Sequence, residues 1–96
     1  MKEAEYLAMS DRERDAWVDE FIMGLVMVHG ERKYSTDYNA MMRVVEKMRD
    51  AGYHIAIHVS CADEWIVDIG DGYYGVNDDL RKAVYLAAGR ALGVIE

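Results

Sequence analysis

The segment with the clearest chemical potential is a run of basic, aromatic and hydroxyl residues, made up of Arg32, Lys33, Tyr34, Ser35 and Thr36. Its two cations precede a predicted helix, whose free N-terminal amides and nearby hydroxyl groups could hold a phosphate. Asp37 would oppose an anion at the same place, and no glycine-rich phosphate loop accompanies the segment. An ordinary capped helix behind a solvated loop is therefore the alternative interpretation.

Aromatic side chains elsewhere could hold the base of the same ligand, because flat rings stack on one another. The candidates are Tyr34, Tyr38, Trp65, Tyr73 and Tyr74. A ligand that needs both a phosphate site and a stacking face is nucleotide-like. The predicted ligand-binding set is accordingly the basic segment together with Trp65, Tyr73 and Tyr74.

Acidic residues cluster near the predicted turns, at Asp63, Glu64, Asp68, Asp71, Asp78 and Asp79. Paired carboxylates can bind magnesium or act as acid and base. A turn at Asp71 and a helix cap at Asp78 already explain acidic residues at these positions. Whether Asp68 and Asp71 do more than shape turns stays open.

The histidines and the single cysteine match no metal or nucleophile motif. His54 and His58 share a predicted strand face but lie two pleats apart, too far for a simple two-histidine site. Cys61 and His58 are expected on opposite faces, so no base would activate the thiol. The sequence predicts no catalytic residue, no metal site and no cofactor, and hence a protein that is not an enzyme.

Length and charge narrow the class of protein. The 96 residues predict one domain over 1–96, with residues 1–9 as a frayed N-terminal segment. A net charge of −7 disfavours nucleic acid and anionic membranes as partners, because both need a basic face. A single cysteine and a start without an apolar leader predict a cytoplasmic protein.

Two helices are expected before the strands. Ser10 and Glu13 form a capping-box pattern that begins a helix over 11–28, which His29 and Gly30 end. Ser35 or Thr36 is expected to cap the second helix, with Asp37 in its first turn and Gly52 at its end. The buried stripe of the second helix is predicted to be Tyr38, Met41, Met42, Val45 and Met48.

An antiparallel hairpin is expected next, because residues 53–60 and 65–69 alternate between apolar and more polar types. Matching the apolar faces sets the register, which pairs Val59 with Trp65, Ile57 with Val67, and Ile55 with Ile69. Tyr73–Val76 would add a brief third strand. A last helix over about 79–92, capped by Asn77 or Asp78, completes the chain.

These elements predict an α+β fold with the order α-α-β-β-(β)-α, in which an antiparallel sheet lies between helix layers. A sheet of two or three strands is poorly stable alone, and its edges must be covered. The sequence therefore predicts a homodimer or a larger assembly.

Several short motifs, in their order, resemble a family of small phage proteins described as phage ABA-sandwich domains. Tyr34–Asp37 reads YSTD and Val44–Met48 reads VVEKM, similar to the family's YSTD…VVEKL core. A tryptophan-bearing strand at Glu64–Val67 and an alanine-rich helix at Ala83–Ala88 continue the pattern. The resemblance covers about residues 17–92 and implies a phage or prophage origin, a layered helix–sheet–helix fold and action inside a bacterium.

The leading functional interpretation is a phage-type binding protein that sequesters a nucleotide-derived immune signal of the host, as anti-Thoeris and anti-CBASS proteins do. Phosphate would contact Arg32 and Lys33, and a base would stack on Tyr34 or Trp65. One alternative is a protein–protein module that inhibits or redirects a host enzyme. A further alternative is a small hydrolase of a phosphorylated signal that uses the acidic cluster.

Overall fold

The computed structural model describes residues 1–24, 33–60 and 62–96. Its α-helices are α1 (Glu3–Ala8), α2 (Asp11–Trp17), α3 (Tyr38–Asp50) and α4 (Leu80–Ala91), and a π-helix, Val18–Ile22, continues α2. Its strands are β1 (Ile55–Val59), β2 (Trp65–Ile69) and β3 (Tyr73–Asn77). The α+β class and the predicted order of elements, including the third strand, are confirmed.

The N-terminal residues form a docked helix rather than a frayed segment. Tyr6 in α1 is fully buried, and its hydroxyl donates to the carbonyl oxygen of Lys82 at 2.8 Å. The amide of Glu96 donates to the carbonyl oxygen of Met1 at 2.8 Å, which ties the two ends of the chain together. Residues 1–9 were predicted to be frayed because one short helix carries little local signal, whereas its docking depends on residues near the other end of the chain.

The predicted capping box at the start of α2 is confirmed. The Ser10 hydroxyl accepts from the Glu13 amide at 3.2 Å, and the Glu13 carboxylate accepts from the Ser10 amide at 3.1 Å. The helix departs from a regular α-helix after Trp17, because the amide of Met23 donates to the carbonyl oxygen of Val18 at 2.9 Å, which is π-helical spacing. The rest of the predicted helix, over residues 25–28, and its end at His29 and Gly30 lie outside the described residues.

The capping box leads to a prediction about pH. Hydrogen bonds from the backbone and hydroxyl of Ser10 hold the pKa of the Glu13 carboxyl below its usual range. Such a group contributes stability above its unfolded-state pKa and loses that contribution as the pH falls through its folded-state pKa. We expect Glu13→Gln to be less stable than the wild type at neutral pH, with the difference shrinking at about pH 3. Urea unfolding at both pH values measures the stability difference between the two proteins. A difference that does not change with pH would contradict a stabilising role of the Glu13 carboxylate in the capping box.

The second helix begins later than predicted. Asp37 is its N-cap, with a carboxylate that accepts from the Asn39 amide at 2.8 Å, so neither Ser35 nor Thr36 caps it. The buried residues of α3 are Ala40, Met41, Val44 and Met48, whereas Tyr38 is 52% exposed and Met42 44% exposed. The predicted stripe was thus partly wrong, because the face that is buried depends on where α3 meets the rest of the core. Gly52 follows the helix with φ +96°, as its predicted role as a terminator requires.

The sheet has the order β1-β2-β3 and is antiparallel throughout. The predicted β1–β2 register is confirmed at Ile55–Ile69, Ile57–Val67 and Val59–Trp65. β3 pairs with β2 through Trp65–Asn77, Val67–Gly75 and Ile69–Tyr73. The final helix begins at Leu80 with Asp79 as its N-cap, one or two residues after the predicted caps.

Helix α4 is the centre of the core. Every residue from Ala83 to Gly89 is buried, and α4 contacts β3 and β2 on one side and α3, the π-helix and α1 elsewhere. The sheet face that α4 contacts on β2 and β3 is here called the inner face, and it consists of Ile55, Ile57, Val59, Trp65, Val67, Ile69, Tyr73, Gly75 and Asn77. The outer face consists of Ala56, His58, Ile66, Asp68, Tyr74 and Val76, and none of these is buried. The described helices therefore lie on one side of the sheet, rather than in a layer on each side.

Candidate functional site

Tyr34, predicted to stack on a base, is instead a buried structural residue. Its ring has 0% exposure and meets Tyr85 edge to face at a centroid distance of 5.9 Å. Its hydroxyl donates to an oxygen of Asp19 at 2.7 Å, and its carbonyl oxygen accepts from the Tyr85 hydroxyl at 2.7 Å. Burial raises the pKa of Tyr85, so the donor in this second bond keeps its proton. In this structure Tyr34 offers no ring face to a ligand.

The amides that were predicted to hold a phosphate already have acceptors. Ser35 is 5% exposed, and its amide donates to an Asp15 carboxylate oxygen at 2.7 Å. The amides of Thr36 and Asp37 both donate to the carbonyl oxygen of Lys33, at 3.1 and 2.8 Å. The first turn around residues 33–37 is therefore closed by its own chain and by α2, and it supplies no free amide cluster for an anion.

The exposed part of the segment borders two adjoining depressions, which together we name the Lys33 cleft. The larger, about 490 Å³, is lined by Asp11, Arg12, Asp15, Lys33 and Thr36. The smaller, about 190 Å³, is lined by Lys33, Asp37, Asn39, Ala40 and Arg43. Lys33 belongs to both, so one cation stands between the N-terminal part of α2 and the first turns of α3. Arg32 lies outside the described residues.

The cations of the Lys33 cleft differ from its carboxylates in the bonds that they make within the fold. Within the described part of the chain, no ion pair joins Arg12, Lys33 or Arg43 to a carboxylate. Each carboxylate of the cleft, in contrast, already makes a bond within the fold: Asp11 with the Arg14 guanidinium, Asp15 with the Ser35 amide and Asp37 with the Asn39 amide. The cleft thus holds three cations without an ion pair among the described residues, although its formal charges balance.

The predicted aromatic residues are not brought to this cleft. Trp65 is half-buried on the inner face of β2, and Tyr73 and Tyr74 lie on opposite faces of β3, with 45% and 50% exposure. None of the three lines either depression. Tyr38 is an exposed aromatic residue that follows Asp37 of the cleft in the sequence, and the Arg81 guanidinium lies over its ring at 4.4 Å from the centroid.

Sequence reasoning missed Arg12, Asn39 and Arg43 as members of the site. Asn39 and Arg43 are four residues apart on α3 and therefore share one face of the helix, a signal that was present in the sequence. Arg12 had no such signal, because only tertiary packing places α2 beside residues 33–36.

The acidic residues of the hairpin have structural partners. One oxygen of Asp68 accepts from the Gly72 amide at 2.9 Å, and Asp71 adopts a left-handed turn conformation with φ +54°. In the described ranges, no group of three or more histidine, cysteine, aspartate or glutamate residues is placed to hold a metal ion. Cys61 lies outside those ranges.

Comparison with models of known protein families, with curated proteins and with solved structures gives no match to this chain. The resemblance to phage ABA-sandwich domains therefore stays a prediction. Among the residues that the structure describes, no helix combines the length and the apolar character needed to cross a membrane.

Proposed function

We propose that this protein acts by binding a small, anionic, nucleotide-like ligand in the Lys33 cleft, without transforming it. The observation that supports the proposal is the meeting of Arg12, Lys33 and Arg43 around one cleft, each without an ion-pair partner among the described residues, in a chain of net charge −7. Arg12 lines the larger depression, Arg43 the smaller one and Lys33 both, and arginine and lysine side chains are common ligands of phosphate groups.

The mixed lining of the cleft favours a nucleotide over a simple anion. Phosphate groups would bind Arg12, Lys33 and Arg43, whereas sugar hydroxyls or base N–H groups would donate to the remaining lone pairs of Asp11 and Asp15. An ion such as inorganic phosphate has no sugar or base and makes only the first kind of contact. The larger depression, at about 490 Å³, falls in the range of ligand pockets.

The biological setting of the proposal comes from the sequence resemblance. A phage-type protein of this kind would act in the cytoplasm of an infected bacterium, where it would sequester a nucleotide-derived immune signal of the host. Sequestration needs binding only, and it requires no metal site or catalytic group.

Thermal shift and calorimetric titration with cyclic ADP-ribose isomers and cyclic dinucleotides test the proposal, with inorganic phosphate as the control ligand. We expect Lys33→Ala and Arg43→Ala to weaken binding at least about 10-fold, because a hydrogen bond to a charged group is worth about 1.5–3 kcal/mol. Arg49→Ala is the matched control, since it changes another exposed arginine of the same helix and should leave binding unchanged. No binding of any nucleotide probe, or equal loss with Arg49→Ala, would refute the proposal.

A second candidate is a protein–protein module, which the exposed outer face of the sheet favours. Tyr74 is 50% exposed and Val76 42% exposed, and Ile66 lies beside them on β2. Neighbouring exposed apolar residues of this kind are typical of interaction surfaces. Under this alternative, Val76→Lys should abolish the capture of a stoichiometric bacterial protein, while Lys33→Ala should not affect it.

A further inference from the structure

Strand β1 is an edge strand without the usual protection. Its sequence is IAIHV, with neither a lysine nor a proline. Ala56 and His58 on the outer face are exposed, and so are Ile57 (40%) and Val59 (61%) on the inner face, so both faces are largely open. Protein edges normally carry charged residues, proline or a bulge, because a free row of N–H and C=O groups pairs with other strands. The apolar composition of β1 makes it a strand suited to pairing rather than to solvent.

The hydrogen bonds of the hairpin show which backbone groups of β1 face outward. Gly70 donates to the carbonyl oxygen of His54 at 2.8 Å, and Ser60 donates to that of Glu64 at 2.8 Å. Because hydrogen-bonded pairs alternate along an antiparallel ladder, the even-numbered residues of β1 point their backbone groups at β2. The N–H and C=O groups of Ile55, Ile57 and Val59 therefore point away from the sheet, and no partner for them is found in the described ranges.

The opposite edge of the sheet is partly covered, in contrast to β1. By the same alternation, the outward backbone groups of β3 belong to Tyr74 and Val76. The carbonyl oxygen of Tyr74 accepts from the Arg90 guanidinium at 2.6 Å. A side chain of α4 thus protects one edge, which leaves β1 as the open edge of the sheet among the described residues.

We propose that β1 pairs antiparallel with β1 of a second copy of this chain, around a two-fold axis at Ile57. This register sets Ile57 opposite the partner's Ile57, and Ile55 opposite the partner's Val59. All the outward backbone groups of Ile55, Ile57 and Val59 then have partners, and the result is a continuous six-stranded sheet. The paired residues are all odd-numbered and so share one face, which extends the apolar inner face across the axis.

A groove beside β1 fits the same register. It measures about 510 Å³ and is lined by Val45, Arg49, Tyr53, His54, Ile55 and Ile57. The partner's Val59, directly opposite Ile55, would place its exposed side chain at this groove, and the two-fold axis repeats the contact in the other subunit. Such self-complementarity, in which one surface supplies both the projecting side chain and its groove, is what a two-fold dimer requires.

A stable dimer needs more interface area than β1 alone provides, and the surface of α3 beside β1 can supply the rest. A standard interface takes about 800 Å² from each partner, about one-seventh of the 5639 Å² surface of the chain. A five-residue strand does not reach that area alone. Helix α3 supplies additional surface, because Val45 and Arg49 line the groove and Met42, which is 44% exposed, lies at helical spacing from both.

Sedimentation analysis at micromolar concentration tests the pairing, together with the matched variants Val59→Lys and Val76→Lys. We expect the wild type and Val76→Lys to be dimers. Val59→Lys should be a monomer that keeps its native circular dichroism spectrum, because the Val59 side chain is 61% exposed, and its thermal midpoint should be lower only by the stabilisation that dimer formation supplies. Since the strand carries no formal charge and each chain carries −7, added salt should tighten the dimer by screening repulsion. This inference is independent of the proposed ligand, whose binding is measured separately.

Amide hydrogen exchange provides a second test that does not depend on any variant. In the dimer, the amides of Ile55, Ile57 and Val59 should be protected, and dilution should remove that protection. A monomeric wild type would overturn the proposal. So would a dimer that Val76→Lys disrupts and Val59→Lys does not, or a dimer in which these three amides exchange freely.

Discussion

Gly75→Ala is expected to destabilise this protein by about 3 kcal/mol or more, the upper end for overpacking a core. A Cβ at this position would overlap the carbonyl oxygen of Ala83 and lie 2.8 Å from the amide nitrogen of Ala87. Both obstacles are backbone atoms of α4, in which every residue from Ala83 to Gly89 is buried, so this part of the helix cannot move away without opening the core. Urea unfolding measures the loss, and a decrease in thermal midpoint of more than about 10 °C should accompany it.

The matched control for this prediction is Gly89→Ala, the same added methyl group inside the same core. There the new Cβ would meet Ile95 Cδ1 at 2.7 Å and an atom of the Trp17 ring at 2.9 Å, which are side-chain atoms. Side chains can shift, and alanine favours the helix over glycine by about 1 kcal/mol, so the net cost should be clearly smaller. Equal losses for the two variants would show that the close approach of β3 to the α4 backbone is not the cause.

Arg14→Met is expected to cost about 3 kcal/mol, because it removes a buried cation that closes the end of α1. Arg14 is 1% exposed, and its guanidinium donates to the carbonyl oxygens of Met9 at 2.8 Å and Tyr6 at 3.3 Å. It also lies 5.2 Å from the centroid of the Tyr6 ring. Methionine keeps most of the volume but leaves these carbonyl groups without their donor and without the favourable charge at the helix C-terminus.

Urea unfolding of Arg14→Met should therefore show a lower midpoint, and amide exchange should show α1 losing protection before the rest of the fold. Arg12→Met is the matched control, since Arg12 is an exposed arginine of the same helix and forms no ion pair among the described residues. We expect this surface substitution to change stability by less than about 0.5 kcal/mol. If Arg14→Met were as mild as Arg12→Met, the guanidinium of Arg14 would not be what holds α1 in place.

In the YSTD segment, Tyr34–Asp37, the local sequence predicts a ligand site, whereas tertiary packing buries its tyrosine and serine. Its tyrosine and serine were predicted to bind a ligand, because hydroxyl and aromatic groups before a helix are a plausible phosphate and base site. The structure assigns both to the core instead, through Asp19 and Asp15, which lie 15 and 20 residues away in the chain. Nothing in the local sequence shows that two aspartates of the preceding helical segment turn toward this loop.

The sequence by itself determined the features that depend on neighbours within a few residues or on simple periodicity. The Ser10–Glu13 capping box spans three residues, and the β1–β2 register follows from matching the apolar faces of adjacent strands. The α+β class and the order of elements follow from the same local patterns. Each of these rests on short-range hydrogen bonding or on side-chain alternation, which the order of residues encodes directly.

Only the tertiary structure decided which side chains are available for function. Contacts between distant parts of the chain bury Tyr34, leave Tyr38 exposed and dock α1. They also bring Arg12 close to Lys33. The physical reason is that a helix of moderate amphipathicity can bury several neighbouring faces, and the partner that packs against it selects one. The basic segment that stood out in the sequence thus keeps Lys33 and Thr36 at its surface, and it shares its cleft with residues that the sequence did not single out.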